Sequence, residues 1–299
     1  MLRYPVILIW VFIGLLGCQD SQTANQATSP SQTTLARGKA ENFLRVGYAN
    51  EAPYAYYDPE QDRLTGEAPE IARHVLRKMG ITHIEGILTE FGALIPGLKA
   101  KRFDIIAAGM YITPERCKEV AFSNPTYGVG EGFIVKKDNP KTLHSYENVV
   151  EQEKAKLGVV AGTVEISYAK TLGIPDKRLL IFPDALSALA GVQTGRVDAF
   201  AATSLTIQTL LNKAKDETIE RARPFHDPVI DGKIITGYGA FAVRKKDQDL
   251  LEALNQGLVD FIGSQEHVQL VRPFGFTQSE LPGDVTADRL CHSNTSQTE

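Results

Sequence analysis

The feature that most restricts the fold of this chain is an alternation of strand and helix patterns. Runs rich in β-branched and aromatic residues, typical of strands, occupy residues 43–48, 84–91 and 104–108. Between them, apolar residues at helical spacing occupy residues 69–79 and 94–101. Such an alternation predicts an α/β fold, in which helices pack on a largely parallel sheet.

The same rhythm begins again at residue 156. Strands are predicted at residues 156–160, 179–182 and 197–201, with helices at 164–172 and 185–194. Two similar units predict two doubly wound lobes with a cleft between them. Ligands favour that place, where the carboxyl ends of parallel strands meet.

A late segment returns the chain to the first unit. Residues 239–243 form a predicted strand, and an amphipathic helix follows over residues 250–262. The glycine-rich residues 128–132 precede a strand rather than a helix, so we expect them to form a hinge entrance, where glycine absorbs backbone rotation.

The N-terminus carries the pattern of a secretory signal. Arg3 supplies positive charge, and the apolar residues 6–16 are too few to span a bilayer. The run Leu-Leu-Gly-Cys that ends at Cys18 resembles the lipobox of bacterial lipoproteins, which implies acylation of Cys18 and removal of residues 1–17. An uncleaved anchor or a buried helix is the alternative. Residues 19–42 are polar and predict a flexible tether, so the protein is expected outside the cytoplasm, lipid-anchored to a membrane.

Composition excludes several other classes of protein. The net charge is −4 and the longest basic run is residues 244–246, which argues against nucleic-acid binding. The six histidines lack metal-ligand spacing, and no phosphate loop or nucleophile elbow occurs, so we expect no metal, cofactor or catalytic residue. Cys117 and Cys291 are expected to be unpaired, the second in a disordered tail over residues 283–299; a bridge between them is the less favoured alternative.

Three motifs resemble those of the amino-acid-type (family 3) periplasmic solute-binding proteins. They are AGMYITPER at residues 108–116, AFSNP at 121–125 and GRVDA at 195–199. The resemblance covers residues 44–282. It implies a type II periplasmic-binding-protein fold with a two-stranded hinge, acting as a monomer that delivers a small ligand to the permease of an ABC importer. The implied lobe boundaries are residues 43–130 and 241–282 for the first lobe and 131–240 for the second.

The resemblance gives Arg116 a role, because the arginine that ends the TPER motif holds the ligand carboxylate in that family. A guanidinium is always charged and offers a planar fork that matches a carboxylate. Without the resemblance, Arg116 would be interpreted as a solvated helix residue. Backbone N–H groups near Gly109, Thr163 and Val164 are expected to complete the carboxylate site from both lobes.

Two departures from the family pattern narrow the ligand. Tyr111 stands where amino-acid binders usually carry Ser or Thr, and Thr203 stands where they carry the Asp that holds the α-ammonium. Loss of a charged hydrogen-bond partner costs about 1.5–3 kcal/mol. A simple α-amino acid is therefore disfavoured.

Five residues resemble the ligand site of the ectoine and hydroxyectoine binding proteins, namely Glu51, Tyr54, Phe91, Tyr111 and Arg116. Three further stretches match that subgroup: residues 64–70, 89–98 and 227–233. Ectoine is a cyclic amidinium that carries one carboxylate. Its delocalised positive charge suits aromatic faces, at about 0.5–2 kcal/mol each, while Glu51 accepts a ring N–H.

Alternatives stay open at each position and for the function. Taken singly, Phe91 is better explained as a core residue. A surface turn is the alternative for Tyr54, and a solvated loop carboxylate is the alternative for Glu51. A polar amino acid or another compatible solute is the competing ligand. Two functions are less favoured: a dehydratase-type enzyme that uses Glu51, Glu67 or Glu131 as general acid or base, and a sensory input domain.

Overall fold

The computed structural model describes residues 32–293. The predicted signal peptide, Cys18 and most of the predicted tether lie outside the described residues. None of the helices in residues 32–293 has the length and apolarity needed to cross a membrane.

Strands and helices alternate through the described chain. In chain order the strands are β1 (Phe43–Tyr48), β2 (Tyr56–Asp58), β3 (Arg63–Thr65), β4 (His83–Leu88), β5 (Ile105–Tyr111), β6 (Ala121–Phe122), β7 (Tyr127–Val129), β8 (Glu131–Lys136), β9 (Leu157–Val160), β10 (Leu179–Phe182), β11 (Ala199–Thr203), β12 (Ile219–Arg221), β13 (Val229–Ile230), β14 (Lys233–Ile234) and β15 (Gly237–Val243). The helices are α1 (Thr34–Glu41), α2 (Glu67–Lys78), α3 (Leu94–Lys99), α4 (Pro114–Glu119), α5 (Tyr146–Glu151), α6 (Glu165–Thr171), α7 (Ala185–Gln193), α8 (Ser204–Ala214), α9 (Gln248–Val259), α10 (Gln265–Val271) and α11 (Ala287–His292).

A six-stranded sheet forms the first lobe. Its strand order is β4-β1-β5-β15-β6, with β7 beside β15. Strands β4, β1 and β5 are parallel, and β15 runs antiparallel to β5. Helix α2 packs on β5 through the buried Ile71, Val75 and Leu76. Its first turn is acidic and its last turn basic, which matches the helix dipole.

A five-stranded sheet of the same design forms the second lobe. Its order is β10-β9-β11-β8-β12, with β10, β9 and β11 parallel and β8 antiparallel to β11. Along β8, Phe133 and Val135 enter one buried cluster and Ile134 enters the other. Alternate side chains of a strand point to opposite faces, so both faces of this sheet are covered.

The chain crosses between the two sheets at two places. Gly130 separates β7 in the first lobe from β8 in the second, so the glycine-rich residues 128–132 span the first crossing. The second crossing lies between β12 and β15 and carries the β13–β14 hairpin. The returning strand begins at Gly237, so the implied boundary at residue 241 is too late: residues 237–240 belong to the sheet of the first lobe.

Helix α1 corrects the predicted tether, whose last residues are ordered. Thr33 caps the helix, and the Arg37 guanidinium lies 2.7 Å from the buried Asp104 carboxylate. Thr34 donates a hydrogen bond of 3.0 Å to Asp247. Leu35 and the buried Gly38 also pack against the core of the first lobe. Two such residues form no apolar stripe in the sequence, which led to the wrong expectation.

A disulfide corrects the expectation that Cys117 and Cys291 are unpaired. Cys117 in α4 is bonded to Cys291 in α11, with Cα atoms 5.6 Å apart. The predicted disordered tail therefore includes an ordered helix, which also donates from the Ala287 backbone N–H to the Asn124 side chain. Helix α11 is short and polar, and its attachment depends on a partner 174 residues away.

We predict that this disulfide stabilises the first lobe substantially. The bridge spans 174 residues and so restricts the unfolded chain strongly. The paired variant C117S/C291S should lose about 2–5 kcal/mol of unfolding free energy in denaturant titrations. Reduced wild type is the matched control and should resemble the variant. Equal stability of the oxidised wild type and the variant would contradict the prediction.

Candidate ligand-binding site

Both lobes supply site residues from the carboxyl ends of their parallel strands. In the first lobe, Glu51 and Tyr54 follow β1, and Phe91 follows β4. Tyr111 ends β5, and Arg116 lies one turn into α4. In the second lobe, the segment after β9 and the last residue of β11 complete the set, namely Thr163, Val164 and Thr203. The two ends face each other across the cleft.

One small cavity between the lobes brings these residues together. Its lining comprises Glu51, Tyr54, Phe91, Ala108, Gly109, Tyr111, Arg116, Thr163, Val164, Glu165 and Thr203. All nine ligand-binding residues predicted from the sequence line it. Ala108 and Glu165 were not predicted.

Arg116 joins the two lobes at this cavity. Thr113 caps α4 by accepting a hydrogen bond of 3.3 Å from the Arg116 backbone N–H. The guanidinium donates to the backbone oxygen of Tyr111 (2.8 Å) in its own lobe and to that of Gly162 (3.0 Å) in the other. It also lies 5.5 Å from the centre of the Phe91 ring. Burial lowers the pKa of Arg116, but a guanidinium starts so high that it stays charged.

Two glycines allow the close approaches that shape the cavity. Gly109 has φ 67°, and a Cβ there would lie 2.5 Å from Cγ of Tyr54. Gly162 has φ 80°, and a Cβ there would lie 2.5 Å from the Cα of Gly92 in the opposite lobe. Both positions therefore require glycine, for the backbone conformation and for the space.

An aromatic cluster forms the first-lobe wall. Tyr54 stacks on Tyr127 with ring centres 5.1 Å apart, and Phe276 packs edge-on against both. Tyr111 meets Tyr127 at 6.3 Å. Tyr127 donates to the backbone oxygen of Gly109 at 2.9 Å, which fixes the wall from behind. Tyr127 and Phe276 do not line the cavity and carry no sequence signal that separates them from ordinary core residues.

A chain of hydrogen bonds crosses the cleft and joins two residues of the first lobe to two threonines of the second. The Tyr54 hydroxyl donates to Thr203 (2.8 Å), Thr203 donates to Thr206 (3.2 Å), and Thr206 donates to the Glu51 carboxylate (2.8 Å). Thr203 also caps α8 by accepting from the Thr206 backbone N–H. The position where amino-acid binders carry an Asp is thus occupied by a neutral group that joins the lobes.

The hydrogen-bond donors of Thr163 are less available to a ligand than the sequence suggested. Its backbone N–H and its hydroxyl both donate to the backbone oxygen of Val160, at 3.3 and 2.9 Å. It lines the cavity, but the expected backbone donation to a ligand would require these bonds to be exchanged.

Two carboxyl groups, those of Glu51 and Glu165, line the cavity together with the guanidinium of Arg116. Burial raises the pKa of Glu51 to about 7, although the Thr206 hydrogen bond opposes the shift. Burial also raises the pKa of Glu165, which begins α6. Its position directly after the strand-end residues Thr163 and Val164 was a usable sequence signal. Glu67 lies apart from the cavity lining, accepts from Thr126 at 2.6 Å, and has a pKa raised by burial to about 8.

Several known proteins are similar to this chain in sequence or structure. The chain is 40% identical over 262 residues to the probable amino-acid ABC transporter periplasmic-binding protein y4tE of Sinorhizobium fredii, with 86% of each chain covered. The crystal structure of EhuB in complex with hydroxyectoine superposes with a TM-score of 0.78 at 32% identity, covering 87% of this chain and 98% of that one. The ancestral amino acid-binding protein AncCDT-1, a precursor of cyclohexadienyl dehydratase, gives 0.68 at 27% identity, covering 81% and 99%.

These similarities confirm the predicted fold class, two α/β lobes of the type II periplasmic-binding kind, and the predicted family. The sequence model of one protein family matches residues 44–277 of the chain. The chain belongs to the bacterial extracellular solute-binding proteins, family 3.

Proposed function

We propose that this protein captures ectoine or hydroxyectoine for an ABC importer by closing its two lobes over the ligand. The observation that carries the proposal is the composition of the interlobe cavity, where one guanidinium, aromatic rings and buried carboxyl groups line the same small space. That set complements a compact zwitterion whose positive charge is spread over a ring.

Arg116 is the proposed partner of the ligand carboxylate. A guanidinium has five N–H donors, and the bonds to Tyr111 and Gly162 use only two of them among the contacts within residues 32–293. The remaining donors can bind a carboxylate without loss of the interlobe bonds. A bound carboxylate would also offset the positive charge that burial disfavours.

Tyr54, Phe91 and Tyr111 are the proposed partners of the ligand ring. All three are at least nine-tenths buried, with exposed fractions of 2%, 8% and 4%. Burial holds the pKa of both tyrosines well above its ordinary value, so their rings stay neutral. Neutral, desolvated aromatic faces attract a delocalised cation more strongly than exposed ones.

The competing ligand is a polar amino acid. It is favoured by the relative y4tE, described as a probable amino-acid transporter component. Ectoine is favoured by the structural neighbour EhuB, which holds hydroxyectoine. The hydrogen-bonded Thr203 also favours ectoine, because an α-ammonium would find no carboxylate at that position.

Export and lipid anchoring belong to the same proposal. The signal-like residues 1–17 and the lipobox cysteine Cys18 support an acylated protein that faces the periplasm or the cell exterior. The protein would act as a monomer that docks on the permease of its importer. No catalytic step is proposed.

We predict that ectoine and hydroxyectoine stabilise the purified protein, because they bind the folded state only. A ligand at 100 times its Kd adds about 2.7 kcal/mol to the unfolding free energy. Thermal melts and calorimetry should compare both solutes with arginine, histidine and glutamine. Stronger binding of any of these amino acids would identify an amino-acid carrier and contradict the ectoine assignment.

We predict that ectoine binds more weakly in acid. The ligand-free Glu51 carboxyl, with a pKa of about 7, must lose its proton to meet the amidinium. Affinity measured by calorimetry should fall as the pH drops from 8 to 5, by up to about tenfold per unit. The variant E51Q should bind more weakly at pH 8 and show a shallower pH dependence.

The variant E67Q is the matched control for this pH series. Glu67 is a buried carboxyl group of the first lobe whose pKa is also raised, to about 8, but it does not line the cavity. It should therefore keep the wild-type pH profile. A flat wild-type profile, or equal slopes for wild type and E51Q, would exclude Glu51 as a partner of the cation.

A further inference from the structure

A second buried carboxyl group faces the cavity from the opposite lobe. Glu165 is 4% exposed and lines the same space as Arg116. Its Oε2 accepts no hydrogen bond from any group within residues 32–293. A buried carboxylate oxygen without a donor is costly, so this atom is suited to a donor that arrives with a ligand.

Glu131, the first residue of β8, lies next to Glu165. It is 3% exposed, and neither of its carboxyl oxygens has a donor in the described part of the chain. Its backbone N–H donates to Asp227 at 2.6 Å, so another acidic side chain lies on its far side. Burial, and then the negative charge of Glu165, raise the pKa of Glu131 well above its ordinary value.

Two adjacent buried carboxyl groups cannot both hold a negative charge at low cost. Glu131 has the more acidic surroundings, with Glu165, Asp227 and Glu51 near it. Arg116, by contrast, favours the ionised form of Glu165. A proton that stays on Glu131 can form a hydrogen bond to the Glu165 carboxylate. The single negative charge of the pair then lies on Glu165, which faces the cavity.

Arg116 favours the negative charge on Glu165, but no side chain of the described residues forms a direct ion pair with it. Among the ion pairs of residues 32–293, none involves Glu165. The described residues also contain no group of three or more His, Cys, Asp or Glu side chains arranged to hold a metal ion. An organic cation is therefore the occupant that fits.

We propose that Glu165 is a ligand-binding residue of the second lobe, whose carboxylate, hydrogen-bonded by protonated Glu131, holds the positively charged part of the ligand. The ligand class is a small organic zwitterion with a hydrogen-bonding cation; naming it ectoine rests on the function proposed above. In this arrangement Glu165 replaces the acid that is missing at Thr203. Glu51 and Glu165 approach the cation from different lobes, so binding it favours closure.

The test compares two isosteric variants of adjacent buried residues. E165Q removes the charge and should weaken ectoine binding about 10- to 100-fold at pH 8, as expected for a lost hydrogen bond to a charged group. E131Q should weaken binding less than E165Q does, because its amide still donates to Glu165 and leaves the charge on that residue. Binding is measured by calorimetry and ligand-free stability by thermal melts.

Stability separates a binding role from a structural one. The melting temperature of ligand-free E165Q should be unchanged or raised, since a buried charge has been removed. Wild-type affinity in E165Q contradicts the inference. So does a lower melting temperature with equal loss of binding in both variants, which would make the pair a structural unit.

The identity of the ligand that the wild-type protein binds separates the proposed function from the inference about Glu165. If wild type binds arginine or histidine instead of ectoine, the proposed function fails, and the same variants measured with that ligand decide the role of Glu165. If ectoine binds and E165Q behaves like wild type, the inference about Glu165 alone fails. A wild-type protein that binds none of these cations contradicts both.

Discussion

The guanidinium of Arg116 lies where the two lobes meet, and much of the site geometry depends on its two backbone bonds. One bond goes to the end of the central strand of its own lobe, at Tyr111, and the other reaches Gly162 in the opposite lobe. The second bond is possible because Gly162 packs against Gly92 without side chains between them. The Cys117–Cys291 disulfide ties the same short helix to the C-terminal helix. Arg116 therefore acts as a fixed positive point to which a closing lobe adds contacts.

The charge balance around that point explains why a zwitterion suits the cavity. Glu51 and Glu165 line it, with Glu131 next to Glu165, against a single guanidinium among the lining residues. Burial raises the pKa of Glu51 to about 7 and that of Glu131 well above its ordinary value, so negative charge is disfavoured at both groups in the ligand-free protein. A ligand that brings both charges supplies a partner for the arginine and for the acids together. Specificity then follows from matching charge positions rather than from cavity size.

Much of the fold was predictable because its signals are local. Period-two and period-3.6 patterns identify strands and helices, and the right order of elements follows. The nine predicted residues all line one cavity, because the family motifs mark strand ends, where parallel strands of both lobes converge. The Cys117–Cys291 pair was missed because contacts 174 residues apart leave no local trace. Helix α1 was missed because its contacts combine ion pairs, such as that of Arg37 with Asp104, with a small apolar contact at Leu35 and Gly38 that forms no stripe in the sequence. Tyr127 was missed because a ring that supports other rings looks like any core residue.

A crystal structure of the protein with bound ectoine tests the central claim most directly. The account predicts the ligand carboxylate within about 3 Å of an Arg116 Nη atom, with the amidinium edge towards Glu51 and Glu165. A ligand carboxylate held elsewhere, with Arg116 bonded only to the Tyr111 and Gly162 backbone, would contradict it.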